Sequence, residues 1–324
     1  MAVYFYMSDS TDGWRNLATD RFFLEGLKKE DILLYCYINA NAVIIGRNQN
    51  AWRECNIDAM EKDGVQLVRR HTGGGAVYHD TQNLNFSFIM NEAQYDVVRQ
   101  MGVIQKMVAA LGMTAELSGR NDILIEGKKF SGNAFAASKG MRAHHGTILV
   151  NTDLSKLGGY LNVSEKKMQA KGVTSVKSRV CNLRDFSKNV TVQAVVSLLK
   201  QAFAAEYGAC SEYKLNEQEL ARIETLYAEI SSWQWRFGRT PSFNYQLEER
   251  FSFGEMQFLF QVEDGHIWDA TVFSDALDTG LVQLVRERLS GVRFHPEDIA
   301  EAFVKAPTRP EFQEIGQYFT QITF

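Results

Sequence analysis

Apolar residues recur along this chain at two spacings, and the alternation between them outlines the secondary structure. Between Asn16 and Lys29, Leu17, Phe22, Leu24 and Leu27 stand among charged residues, the pattern of an amphipathic helix. Ile32 to Ile38 and Ala42 to Ile45 then read as strands around an Asn39-Ala40-Asn41 turn. Val65 to Val68, Ala76 to Tyr78 and Leu84 to Met90 continue the strands, and the short links between them favour antiparallel pairing, since a parallel crossover needs about a dozen residues. Tyr95 to Leu111 has helical spacing and ends at Gly112, where a C-terminal cap belongs. Strands are predicted near Asp122 to Glu126, Lys129 to Ala136 and His145 to Val150, with Gly127 supplying the first turn. Helices are predicted at Ser164 to Ala170, Thr191 to Tyr207 and Glu217 to Ser231. The tail reads as strands from Ser242 to Arg250, Met256 to Val262 and His266 to Phe273, then helices from Asp275 to Leu289 and Pro296 to Val304.

Composition adds a division of the chain. With 324 residues, 45% of them hydrophobic, there is enough material for one substantial core and a smaller companion. All four prolines lie at or after Pro241, and the aromatic run Trp233-Gln234-Trp235-Arg236-Phe237 precedes that change. We therefore expect one domain over 1–240 and a second over 241–324, with the aromatic run as an anchor between them more than a ligand cage. A net charge of −4 argues against a nucleic-acid binder, which would carry a basic excess. The four cysteines, Cys36, Cys55, Cys181 and Cys210, form no C-x-x-C pair and suggest neither zinc nor a disulfide framework. The N-terminal residues lack the basic start and apolar run of a signal peptide, and no stretch reaches the length of a membrane span. A cytoplasmic protein without membrane partners is the expectation.

The chemistry concentrates in Arg69-Arg70-His71-Thr72-Gly73-Gly74-Gly75-Ala76-Val77-Tyr78-His79-Asp80. Glycines let a backbone approach a ligand and adopt positive φ, and consecutive N–H groups in such turns form anion-binding concavities. Arginine offers a planar, permanently charged fork for oxyanions. A second basic, glycine-containing region follows at Gly119-Arg120-Asn121-Asp122 and Gly127-Lys128-Lys129-Phe130-Ser131-Gly132. Neither the P-loop nor the dinucleotide fingerprint is present. Because the glycines lead into a strand, any nucleotide here is expected to lie on a sheet.

These segments resemble the lipoate–protein ligase family, in its two-domain bacterial form. The residues carrying the resemblance are Arg70 through Asp80 with Asn83, then Gly119 to Asp122, Lys129 to Gly132, His144-His145-Gly146-Thr147-Ile148-Leu149, and Lys171-Gly172-Val173-Thr174-Ser175-Val176, with Trp233 to Pro241 similar to the family's domain junction. The fold implied is α+β, the core shared by biotin ligases and class II aminoacyl-tRNA synthetases: a mixed, largely antiparallel sheet with flanking helices, followed by a small C-terminal α+β domain. The reaction implied is activation of lipoate by ATP with Mg²⁺ to lipoyl-AMP, then transfer to a lysine of acceptor domains, those of 2-oxoacid dehydrogenase E2 subunits or the glycine cleavage H protein. The enzyme is expected to act as a monomer.

Carried over residue by residue, the resemblance assigns Arg70 and Lys129 to catalysis, where they neutralise charge on a carboxylate and a triphosphate that would otherwise repel. Gly73, Gly74, Gly75, Ala76, Val77, Tyr78, His79, Asn83 and Asn121 match the nucleotide-binding stretches. Thr72, Gly75, Lys129 and His145 are assigned to the acyl substrate, and the apolar Leu17, Tyr37 and Val43 read either as walls of a lipoyl tunnel or as ordinary core. Three readings stay open: His79 as phosphate orienter or structural hydrogen-bonder, Asp122 as Mg²⁺ ligand or partner of Arg120, and Lys171 as part of a closing loop or a solvated helix end. Lys128 reads as a solvated turn lysine. Of His144 and His145, adjacent on a strand, at most one faces the site. A cysteine-dependent octanoyl or lipoyl transferase on the same fold is the rival, and Cys181 is its only thiol near the motifs.

Overall fold

A computed structural model describes residues 1–49, 51–119, 121–161, 180–237, 245–263, 266–305 and 309–322. The described strands are β1 (Val3–Met7), β2 (Ile32–Ile38), β3 (Ala42–Ile45), β4 (Gln66–Arg69), β5 (Val77–His79), β6 (Asn83–Asn91), β7 (Glu116–Ser118), β8 (Asp122–Ile125), β9 (Lys128–Ser138), β10 (Met141–Leu149), β11 (Ser211–Glu212), β12 (Tyr245–Phe251), β13 (Gly254–Glu263) and β14 (His266–Ser274). The described helices are α1 (Gly13–Gly26), α2 (Ala51–Glu54), α3 (Ile57–Lys62), α4 (Val97–Ala110), α5 (Leu157–Tyr160), α6 (Val192–Tyr207), α7 (Glu217–Ser231), α8 (Trp233–Arg236), α9 (Leu281–Leu289), α10 (Pro296–Val304) and α11 (Pro310–Phe319).

An eight-stranded mixed sheet, β11-β1-β2-β6-β10-β9-β8-β7, forms the centre, antiparallel except where β1 pairs with β2 and β11. Helices cover both faces. Ile32, Leu34 and Cys36 of β2 pack with α4 and α6 on one side, while Leu33, Tyr35 and Tyr37 pack with α1 and α7 on the other. Burial on both faces explains why β2 is a continuous apolar run with no polar alternation. Local chemistry sets the helix ends. Asp12, Asp96, Thr191 and Asn216 cap their helices through side-chain oxygens that accept first-turn N–H groups. Gly112 leaves α4 at φ 81°, as its glycine predicts.

Two expectations are corrected. The strands at 32–38 and 42–45 do not pair with each other; β3 belongs to a separate three-stranded sheet, parallel to β4 and antiparallel to β5. The reason lies in the turn, where the fully buried Asn39 amide joins Asn16 of α1 to His79 of β5 and sends the chain into a second sheet. The helix expected from Asp275 begins only at Leu281, because the Asp275 carboxylate accepts the Glu255 N–H at 2.6 Å and pairs with Arg250 at 3.0 Å. The strands β1 and β7 and the helix α11 went unread in the sequence. The helix predicted at Ser164 to Ala170 lies outside the described residues, as does residue 240, where the chain was divided.

The tail forms an antiparallel sheet, β12-β13-β14, packed against α9, α10 and α11 around its own core of Phe258, Phe260, Phe303 and Phe319. It touches the rest of the chain through Ser274, whose N–H donates to the Asn48 carbonyl at 3.0 Å, and through Ala276, whose carbonyl lies 3.3 Å from the Gly74 nitrogen. No helix among the described residues is long and apolar enough to cross a membrane.

Candidate functional site

One cavity of about 740 Å³ gathers most of the candidate residues. Leu17, Tyr37, Arg70, Gly74, Gly75, Ala76, Val77, Tyr78, His79, Asn83, Asn121, Asp122, Lys129 and His145 all line it. Val43 does not. It sits in the core behind β3 with Cys55 and Met60, and its neighbour Ile44 faces the cavity instead. Thr72 and Gly73 are also set back from the wall. Lys171 lies outside the described residues.

Lys129 is aimed by a bulge. Pairing of β8 with β9 runs Asp122 to Gly132 and Ile123 to Ser131, then slips so that Leu124 faces Lys129, leaving Phe130 as an extra, fully buried residue. Such a bulge redirects the side chain beside it. The Lys129 ammonium lies 2.6 Å from Asp122 Oδ1. Gly132 makes room for it, since a Cβ there would come within 2.9 Å of Lys129 Cε and Nζ. Asp122 is the counter-charge of Lys129; Arg120, its other candidate partner, lies outside the described residues. Lys128 is exposed, as read.

The arginines differ from expectation. Arg69, the neighbour of Arg70 in the basic run, is fully buried and donates to the carbonyls of Gly46, Gln49, Trp235 and Arg236, while Trp235 Nε1 donates back to the Arg69 carbonyl at 2.9 Å. It staples the 46–49 loop to the aromatic run. Arg70 is no free fork either. Its guanidinium donates to Ile44 O at 3.1 Å, to Gly73 O at 2.7 and 3.0 Å, and to Gly75 O at 2.9 Å, so three of its five N–H groups hold the glycine turn in shape and a fourth ties it to β3. Burial pushes it down to about 10, which leaves it charged at neutral pH while it faces the cavity.

Gly73 is needed where the two parts of the chain meet. A Cβ there would lie 2.1 Å from the Ala276 carbonyl oxygen. Gly73→Ala should push the 275–277 segment off the turn and lower turnover at this site by roughly tenfold or more, the scale of a misplaced binding loop. Steady-state kinetics checked against a far-ultraviolet melt will separate this from global unfolding; unchanged turnover would mean that the contact is idle.

Around the wall, buried polar groups are left with spare valences. His79 Nδ1 sits 3.1 Å from Asn39 Nδ2, which donates to it, so the ring carries its proton on Nε2, an atom with no protein partner. Asn83 Nδ2 donates to Asn85 Oδ1, leaving its own Oδ1 unpartnered. Asn121 spends its amide on Asn133, each donating to the other's carbonyl at 3.0 and 3.1 Å, so it clasps β8 to β9. His144 and His145 point to opposite faces: His144 packs among Phe86, Phe88 and Phe135, whereas His145 reaches the cavity with Nε2 2.8 Å from Thr72 Oγ1. Thr72 therefore positions His145 and does not itself line the site. Asp20 of α1, unread in the sequence, also lines the cavity. Its position one turn from Leu17 on the same helix face was the available signal.

Burial drives His79, aided by the Arg70 charge, and likewise His144 down to about 3. Both rings stay neutral when folded, whereas an unfolded chain protonates them near the ordinary histidine value of about 6.5. Their stabilising contribution is therefore whole above that pH and shrinks as pH falls toward 3, by roughly 1 kcal/mol per pH unit for each ring. The denaturant midpoint should be lower at pH 5 than at pH 7.5; equal midpoints would contradict this.

The four cysteines are free, and burial pushes Cys181 up to about 11 and Cys55 to about 12 and raises Cys36 and Cys210 as well. None has the depressed value of an activated thiolate.

Comparison with known proteins agrees over the length of the chain. The family model for the lipoyl protein ligase A/B catalytic domain matches residues 12–204, and that for the bacterial lipoate protein ligase C-terminus matches residues 240–322. The structure is similar to Plasmodium falciparum LipL1 in complex with lipoate, with 28% identity and a TM-score of 0.87 over 99% of this chain and 100% of that one. A bipartite lipoate protein ligase from Thermoplasma acidophilum, studied with its E2 lipoyl domain, is 30% identical with a TM-score of 0.68 over 75% of this chain and 98% of that one. A lipoate-protein ligase A bound with ATP is 28% identical with a TM-score of 0.65 over 74% and 99%. With its first model covering well over half of the sequence, the chain belongs to the lipoyl protein ligase A/B family.

Proposed function

We propose that this protein is an ATP-dependent lipoate–protein ligase, which joins lipoate to AMP with release of pyrophosphate and then passes the lipoyl group to a lysine of an acceptor domain. The observation that carries this reading is the Lys129 ammonium, held by Asp122 at 2.6 Å in the wall of a cavity that also exposes Arg70 and the Gly74–Gly75 turn. A carboxylate and a triphosphate meeting there would have two positive charges to offset their repulsion. As a compact charge on a flexible stem, Lys129 can leave Asp122 and follow the carboxyl oxygen into the mixed anhydride. Leu17, Tyr37 and Ile44 supply apolar wall for an acyl chain.

Lipoate and ATP are bound by the similar ligases named above, which supports the same pair here. For Mg²⁺, Asp122 fits as a single carboxylate ligand: it lines the cavity and uses only Oδ1 on Lys129, and Mg²⁺ commonly takes one or two carboxylates together with phosphate oxygens. We assign residues 1–240 to activation and transfer, and residues 241–324 to support of the glycine turn through Ala276. Acceptors are proposed to be lipoyl domains of the E2 kind or the glycine cleavage H protein.

Incubation with lipoate, Mg²⁺-ATP and a lipoyl-acceptor domain, followed by intact mass measurement, tests substrate and transfer together. One lipoyl increment on the acceptor, dependent on ATP and retained by Cys181→Ser, is expected. Transfer without ATP that Cys181→Ser abolishes would make the protein a thioester transferase.

A further inference from the structure

Asp20 of α1, His71 of the turn after β4 and His145 of β10 come together although they lie far apart in sequence. Asp20 Oδ2 stands 3.5 Å from His71 Nε2 and 3.4 Å from His145 Nδ1, and the three atoms all fall within 4.8 Å of one another. Among the described residues this is the only place where three such groups converge. Asp20 is 1% exposed, yet neither of its carboxylate oxygens has a hydrogen-bond partner; nor has either nitrogen of His71, nor His145 Nδ1.

The spacing decides between two explanations. A charge-assisted hydrogen bond from imidazolium to carboxylate is about 2.7–2.9 Å long, so these groups stand too far apart to satisfy one another directly. A cation held by nitrogen and oxygen ligands at about 2.0–2.1 Å in tetrahedral geometry sets its ligands roughly 3.4 Å apart, the edge of that tetrahedron. The two distances measured from Asp20 have that length. His145 also has the support expected of a ligand, because its other nitrogen lies 2.8 Å from Thr72 Oγ1, a hydroxyl that can accept the Nε2 proton and so leave the Nδ1 lone pair for a metal. A buried carboxylate that stands 3.4 and 3.5 Å from two imidazoles, longer than a charge-assisted hydrogen bond, is only partly compensated, and a cation between the three groups would complete that compensation.

We propose that Asp20, His71 and His145 form a binding site for one divalent transition-metal cation of the Zn²⁺ class, separate from the Mg²⁺ that would accompany ATP. Two imidazoles and one carboxylate suit such ions better than they suit Mg²⁺ or Ca²⁺, which prefer oxygen. Asp20 and His145 line the cavity, so the fourth coordination position opens toward it and is available to water or to a donor atom of a bound molecule. The site is distinct from the Lys129 and Asp122 pair, and its existence does not depend on the reaction proposed above.

The test is metal stoichiometry on the full chain. Protein stripped with chelator, incubated with Zn²⁺ and passed over a desalting column should retain one equivalent by elemental analysis. Replacement by Co²⁺ should give the visible absorption of a four-coordinate site. His71→Ala and the near-isosteric Asp20→Asn should each reduce retention at least tenfold, while Cys210→Ser, which removes the half-exposed thiol, should keep it. If His71→Ala fails to fold by circular dichroism, Asp20→Asn decides. Folded wild-type protein that retains no Zn²⁺, or retention undiminished in Asp20→Asn, would overturn the proposal whether or not the protein ligates lipoate.

Discussion

Lys129→Ala is expected to abolish pyrophosphate release from lipoate and ATP, with a loss of roughly 10²–10³-fold or more, the scale seen when one preorganised charge partner of a transition state is removed. The fold should survive. Both members of the Lys129 and Asp122 pair are about one-third exposed, at 34% and 37% of their side chains, so water screens the carboxylate left behind. Exposed ion pairs of this kind contribute about 1 kcal/mol at most. The melting temperature should therefore hardly move while the chemistry disappears. An ATP–pyrophosphate exchange assay beside a thermal melt reads both, and near-normal exchange would sink the assignment of Lys129.

Arg70→Lys is expected to lower the same exchange by about 10²-fold although it keeps the positive charge. A lysine cannot reproduce a planar fork that reaches Ile44 O, Gly73 O and Gly75 O together. Each buried carbonyl left without a donor costs about 1–3 kcal/mol, and a turn released from this grip will misplace whatever it cradles. Here a stability loss should accompany the loss of rate, unlike the Lys129 case. If Arg70→Lys exchanged at wild-type rate, charge alone would be the requirement and the bracing of the turn incidental.

Much of this architecture is legible in the chain. The helices read at 16–29, 95–111, 191–207 and 217–231 stand at 13–26, 97–110, 192–207 and 217–231, where Asp12, Asp96, Thr191 and Asn216 cap them. The hairpin at Glu126 and Gly127 follows from a glycine at φ 73°. The Arg70 to Asp80 and Lys129 to Gly132 runs are distinctive enough to suggest a family before any coordinate is seen.

Sidedness was harder to read. Ala42-Val43-Ile44-Ile45 is apolar throughout, so alternation does not distinguish Val43, which is buried in the core, from Ile44, which lines the cavity. An arginine beside glycines looks the same in sequence whether its fork is empty or filled with carbonyls.

What the sequence alone determined is local: periodicity, caps, turns and the residue types brought to the glycine and lysine motifs, because each depends on neighbours within a few positions. Only the tertiary structure decided which carbonyls occupy Arg70, that Ala276 rests on Gly73, and that Asp20, His71 and His145 meet. Those contacts join segments that lie far apart in the chain. Burial and register set them in three dimensions, and no short-range pattern records them.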